Sequence, residues 1–225
     1  MPRHLLSFMF CIVASAGTHA QTDAQIDSLT MQMCKTLATN VNLTDSLRVQ
    51  STYEQHLPKF FEKFTVNNDA ESEEQFNRIY YRYQKNCNLL TEILARNIKV
   101  QGDWKLLTSR PKNTLAKAKC RQVDKIKKFY YIMPEGQKVN VIIDKGLWYE
   151  EFEDGTFSKL SFRWTSDCEF DIEFIESNNL SRKNFSSKGD VYHYGLFAAT
   201  GNDFSVWIND KAGNATQSFK LRAAK

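Results

Sequence analysis

The chain has 225 residues, of which 42% are apolar and 13% aromatic, enough to bury the core of one large domain or two small ones. Its 30 basic and 26 acidic side chains nearly balance, so bulk charge gives no reason to expect a nucleic-acid partner.

Residues 1–20 have the layout of a signal peptide: Arg3 near the start, an apolar stretch over 5–16, and small residues ending at Ala20, after which cleavage is expected. Cys11 lies inside the apolar stretch, with no lipobox before it. The stretch is too short to span a bilayer as a membrane helix, and no comparable run follows, so no transmembrane segment is expected. Loss of Arg3 with this segment leaves 29 basic against 26 acidic residues over 205 positions, a formal charge of +3. Export, to the periplasm or beyond, is the expected localisation. It suits the four remaining cysteines, Cys34, Cys87, Cys120 and Cys168, an even number in an oxidising compartment.

Residues 21–97 read as a helical module. Ile26, Leu29, Met33 and Leu37 share one face of a first helix. Tyr53, Leu57, Phe60, Phe61 and Phe64 mark a second that starts near Thr44, with Pro58 either kinking it or opening a new first turn. Ser72 with Gln75 forms a capping box, and Phe76, Ile79, Tyr80, Tyr83, Cys87, Leu90 and Leu94 continue behind it as one long helix. Three disulfide connectivities are possible. The change of pattern after residue 97 leaves two cysteines in each half and favours Cys34 with Cys87 and Cys120 with Cys168.

Residues 98–118 show no period and read as a linker. Over 112–128 there are seven basic residues against Asp124 alone, either a polyanion-binding stretch or a solvated linker and strand edge. After Ile126 the period becomes two, with turn residues every eight to twelve positions and the last of them at 211–214, so residues 119–225 read as a domain built on an antiparallel meander of about eight strands. The fold class is thus α+β, a disulfide-linked helical module followed by a small barrel or half-barrel, since closure removes exposed edges.

Three favoured turns, of three residues at 144–146, two at Asp154 and Gly155, and three at 165–167, define a register. It puts Val139, Val141, Ile143, Leu147, Tyr149, Leu160, Phe162, Trp164, Phe170, Ile172 and Phe174 on the inner face. Trp164 then lies opposite Cys168. Glu150 with Lys159, Lys159 with Glu173, and Arg163 with Glu169 pair across the outer face.

The run Trp164, Thr165, Ser166, Asp167, Cys168, Glu169, Phe170, with Cys120 and a cysteine-bearing helical half before it, resembles small exported proteins of the Bacteroidota whose β half is lipocalin-like. The resemblance implies a fold and a compartment and carries no active-site residues. Two Asp-Ser-Leu triplets, at 27–29 and 45–47, resemble the short O-glycosylation sequon of such proteins.

No catalytic or cofactor motif is readable: there is no G-x-S-x-G, H-E-x-x-H, Walker loop or G-x-G-x-x-G, and only His56 and His193 survive cleavage. A metal site lacks ligands in any CxxC pair, and no cofactor is expected. In the register above, Tyr149, Glu151, Phe162, Trp164, Phe170 and Phe174 line the interior, a candidate site for a small apolar ligand. Glu151 there is a candidate general acid for a hydrolase with a second carboxylate. Ile142, Trp148, Phe152 and Phe157 form an outer apolar patch, expected to receive the helical half or else a glycan or a cell-envelope protein. The leading expectation is a non-catalytic binding protein. A barrel filled by its own side chains, working as a structural or interaction protein, is the alternative.

Overall fold

A computed structural model describes residues 22–63, 68–97, 99–209 and 216–224. The signal segment, Phe64 and residues 211–214, where Lys211, Gly213 and Asn214 are among the expected turn residues of the meander, lie outside the described residues. Four helices open the described residues: α1 (Asp23–Thr39), α2 (Asp45–Phe61), α3 (Asp69–Asn86) and α4 (Asn88–Asn97). None of the described helices is long and apolar enough to cross a membrane.

Helix α1 starts at a capping box between Thr22 and Gln25 and buries Ile26, Leu29, Met33 and Leu37, the expected stripe. Helix α2 runs through Pro58 without a break to Phe61. The start of α3 corrects the sequence reading: Asn68 is its N-cap, accepting from the Glu71 amide at 3.0 Å, so the expected box at Ser72 falls inside the first turns. The expected long helix also breaks at Cys87, where φ −138° and ψ 96° leave the helical region. Asn86 and Asn88, weak helix formers, flank the break, and Asn86 is turned to hydrogen-bond Asp27 and Thr30. The Cys34–Cys87 disulfide staples α1 to this break, and Cys120–Cys168 staples the barrel, the favoured pairing.

The expected linker is not featureless. It contains β1 (Lys105–Leu107), which pairs with the last strand, and then a strap across the outside of the barrel. Thr114 donates its hydroxyl to the Phe197 carbonyl at 3.0 Å, and the Arg110 guanidinium lies 4.1 Å from the Trp207 ring centre and pairs with Glu169. Two short helices follow, α5 (Lys117–Cys120) and α6 (Val123–Ile126).

Eight antiparallel strands then close into a barrel: β2 (Lys128–Ile132), β3 (Lys138–Asp144), β4 (Leu147–Phe152), β5 (Phe157–Trp164), β6 (Glu169–Ser177), β7 (Val191–Thr200), β8 (Asp203–Asn209) and β9 (Thr216–Ala223). Each pairs with the next, and β9 returns to β2 through Phe129 opposite Ala223 and Tyr130 opposite Arg222. β1 covers the part of the β9 edge that β2 leaves open. One further helix, α7 (Leu180–Phe185), interrupts the meander between β6 and β7.

The register differs from the expected one in β4. The β3–β4 turn has two residues, Lys145 and Gly146, both at positive φ as a type I′ turn requires. The β4–β5 loop has three, residues 153–155, closed by the Phe152 amide donating to the Thr156 carbonyl at 2.9 Å. Each turn is one residue away from expectation, and the two errors cancel beyond β4. Only β4 turns over: Trp148, Glu150 and Phe152 face inward, Tyr149 and Glu151 outward. The β5–β6 pairing is shifted by two residues, which keeps the faces but sets Trp164 opposite Phe170 instead of Cys168. Outer charges pair accordingly, Lys159 with Glu176 at 3.5 Å and Arg163 with Asp171 at 2.9 Å, while Glu150 leaves that face altogether.

On the outer face Trp207 is only 2% exposed, pressed between Arg110 of the strap and Gly195 of β7. A β-carbon at Gly195 would fall 2.3 Å from the indole. Gly195→Ala is therefore expected to destabilise the barrel by about 1–3 kcal/mol through overpacking, measurable by denaturant titration.

Candidate functional site

The interior is a packed aromatic column. Ring centres of Phe162 and Phe170 are 4.8 Å apart, Phe170 and Tyr194 5.4 Å, and Tyr131 and Phe219 5.4 Å. Within this column, toward the end capped by α7, sits a carboxylate. Glu150, 6% exposed, accepts from the Tyr131 hydroxyl at 2.8 Å and from the Trp148 indole at 3.2 Å. Its other oxygen accepts from Arg182 Nε at 3.1 Å, and Arg182 Nη2 also donates to the Tyr131 hydroxyl at 2.6 Å.

Arg182 is delivered by α7. Asn179 caps that helix, accepting from the Arg182 amide, and donates to Thr156 Oγ1 at 2.9 Å, just before β5. Asn178 accepts from the Phe157 amide at 2.7 Å. These short polar side chains seat α7 over the barrel mouth, so its arginine points down among Phe152, Met133 and Tyr131. Burial, then the nearby Glu150 charge, hold the Tyr131 and Tyr194 hydroxyls well above the usual phenol range, although Arg182 pulls the other way. Burial disfavours the Arg182 cation, but Glu150 together with Tyr131 and Tyr194 outweighs it and raises that group above the usual guanidinium value. Ser158, opposite Glu150 on β5 and fully buried, has no hydrogen-bond partner for its hydroxyl. An unpaired buried hydroxyl costs about 1–3 kcal/mol.

The outer side of α7 and the loop after it meet the helical module. Lys85 pairs with Asp190, and Arg82, 6% exposed, pairs with Asp27 and donates to Ser187 Oγ at 2.6 Å. Asp23 also bonds Ser187. This polar latch, and not the expected aromatic patch, is where the two halves meet. The Ser187 hydrogen bond, helped by Arg78 and Arg82, holds Asp23 below the usual carboxylate range. Burial works against the Asp27 carboxylate, but bonds from Arg82 and Asn86 outweigh it and lower that group too. The latch is thus fully formed above the ordinary aspartate value of 3.8 and is lost as pH falls through the lower folded values. Amide-exchange protection in α7, corrected for intrinsic rates, is expected to hold from pH 7 to about 4 and to fall below that.

Of the expected lining, Phe162, Trp164, Phe170 and Phe174 do face the interior, Trp164 at its rim. Tyr149 and Glu151 do not: Tyr149 stacks on Phe157 at 5.8 Å outside, and Glu151 is exposed. The enclosed carboxylate is Glu150, one residue earlier, and three donors from Tyr131, Trp148 and Arg182 hold its oxygens. Of the expected patch, Trp148 and Phe152 are core residues, while Ile142 and Phe157 stay outside. His56 bonds Thr36 at 2.8 Å, and His193 lies between Asp171 and Glu169. The basic run over 112–128 is largely engaged at the opposite end of the barrel: Lys117 with Asp167, Lys119 with the Gly201 carbonyl, Arg121 over Trp164, and Lys127 with Asp144. Among the described residues no group of three or more His, Cys, Asp or Glu is placed to hold a metal ion.

Sequence reasoning missed α7, Arg182, Tyr131 and Ser158. The available signal was the loss of alternation after Phe174 followed by Asn178 and Asn179, which read as a helix cap.

Fold and site together define a two-module protein, a disulfide-stapled helical bundle latched to a closed barrel whose mouth is plugged by an arginine on an inserted helix. Comparison with family models, with curated proteins and with solved structures finds no match.

Proposed function

We propose that the chain is an exported, non-catalytic binding protein whose binding end is the α7-capped mouth of the barrel. Export is supported by the signal-like segment, by the resemblance to exported Bacteroidota proteins, and by two disulfides that use every cysteine after residue 20. The observation that carries the binding reading is the Glu150/Arg182 pair, in which the carboxylate is buried and the guanidinium largely so. A buried ion pair stabilises a fold no better than apolar side chains of equal volume, so its presence in a packed barrel points to recognition.

The same pair argues against simple storage of an apolar ligand, because the cargo would have to displace a charged plug and stacked rings. The hydrolase reading is not retained, since Glu151 is outside. Native mass spectrometry of protein recovered from the cell envelope tests the proposal. The expected result is a chain beginning at Gln21, with its cysteines oxidised and a non-covalent adduct lost on denaturation. A bare monomer would favour a filled scaffold working through its surface, and a chain that keeps residues 1–20 and free thiols would overturn export.

A further inference from the structure

The groups around the Arg182 guanidinium are those that recognise a cation: the Glu150 carboxylate, the Tyr131 hydroxyl, the Met133 sulfur at 3.7 Å and the face of Phe152 at 5.7 Å. All of these lie on β2 and β4 or in the turn that follows β2. The cation itself comes from elsewhere, a six-residue helix inserted into the meander. The seat of that helix is also set from its far side, where Lys85 pairs with Asp190 and Arg82 bonds Ser187 in the loop after it. Directly across from Glu150 on β5, the buried Ser158 hydroxyl has no hydrogen-bond partner. Unpartnered polar atoms in a native interior call for a ligand, a water or a function.

We propose that this cage is a binding site for a cationic group, a guanidinium or primary alkylammonium carried by a ligand or a partner side chain, and that Arg182 is the chain's own occupant. The ligand's cation takes the place of Arg182 when α7 withdraws, keeps the Glu150 and Tyr131 contacts, and brings Ser158 a donor. The inference rests on the binding reading above and names the chemistry of its site. A tethered occupant competes at high effective concentration. If α7 is seated in about 99% of molecules, the apparent affinity for an external cation falls about 100-fold.

The probes are n-butylguanidinium and the neutral isostere n-butylurea, added to the disulfide-bonded chain and followed by calorimetry and the indole N–H resonance of Trp148. Arg182→Ala is expected to bind n-butylguanidinium saturably, at least 10-fold more tightly than the parent chain, with no comparable response to n-butylurea. Adding Glu150→Gln to that variant abolishes binding. Lys85→Ala, which keeps Arg182 but weakens the latch, gives an intermediate affinity. If Arg182→Ala folds poorly, n-butylguanidinium and not n-butylurea must raise its melting temperature. Several results would overturn the proposal: no saturable binding by the folded variant, no selective rescue of a poorly folded one, binding undiminished in the double variant, or an equal response to the urea, which would mark a water-filled cavity. Failure here, with an adduct still seen in native spectra, removes only the assignment to a cation, whereas loss of the adduct removes the binding reading.

Discussion

Replacing Glu150 by leucine is expected to destabilise the protein by about 3–5 kcal/mol, because it leaves the Arg182 guanidinium in the barrel mouth without its anion. The substitution also removes the acceptor of the Tyr131 hydroxyl and the Trp148 indole. Arg182 keeps 26% of its side-chain surface exposed, so water can partly solvate the orphaned charge and the low end of that range applies. For a chain of this size the melting temperature falls by about 2–4 °C per kcal/mol, a drop of roughly 10 °C. Glu150→Leu combined with Arg182→Met is expected to recover most of the loss, since no buried charge remains. A double-mutant cycle by denaturant titration measures the coupling. A single variant that loses less than about 1 kcal/mol would show the pair to be solvated and of surface-pair strength.

Removing the Cys34–Cys87 bridge is expected to cost about 4 kcal/mol, the loop-closure entropy for its sequence separation of 53. The Cys120–Cys168 bridge, with a separation of 48, has nearly the same entropic value. The consequences differ because the modules differ. The barrel is closed by strand pairing all round and keeps a large aromatic core. The helical module is small and leans on the core cluster of Ile26, Met33, Leu37, Ile79 and Tyr83. Cys34→Ser with Cys87→Ser is therefore expected to melt the helices while the sheet persists, seen as loss of helical circular dichroism well below the barrel transition. One cooperative transition for both signals would instead mean that the latch at Lys85 and Arg82 couples the modules into a single unit.

Much of this fold was legible because it depends on local pattern. The stripe of Ile26, Leu29, Met33 and Leu37 and the alternation of Val139, Val141 and Ile143 follow from burying one face of a helix or strand. The disulfide pairing followed from the change of period between the halves. The site was legible only in part. Phe162, Phe170 and Phe174 were placed inside correctly, yet Tyr149 with Glu151 and Trp148 with Phe152 exchanged places. In a strand of period two, a turn misjudged by one residue moves every side chain to the other face. The run Leu147, Trp148, Tyr149, Glu150, Glu151, Phe152 has an aromatic on both faces and adjacent glutamates, so neither phase stands out from its own residues.

By itself the sequence determined the two halves, their periods and a barrel-forming meander, and favoured one of three cysteine pairings, all consequences of short-range periodicity and composition. Only the tertiary structure decided which glutamate is enclosed, that Arg182 of an inserted helix reaches it, and that Lys85 and Arg82 hold that helix from the other module. Those contacts join residues 19 to 105 positions apart, and no local pattern encodes them. A buried charge is tolerated only where its partners converge in space, and that convergence exists only once the barrel has closed.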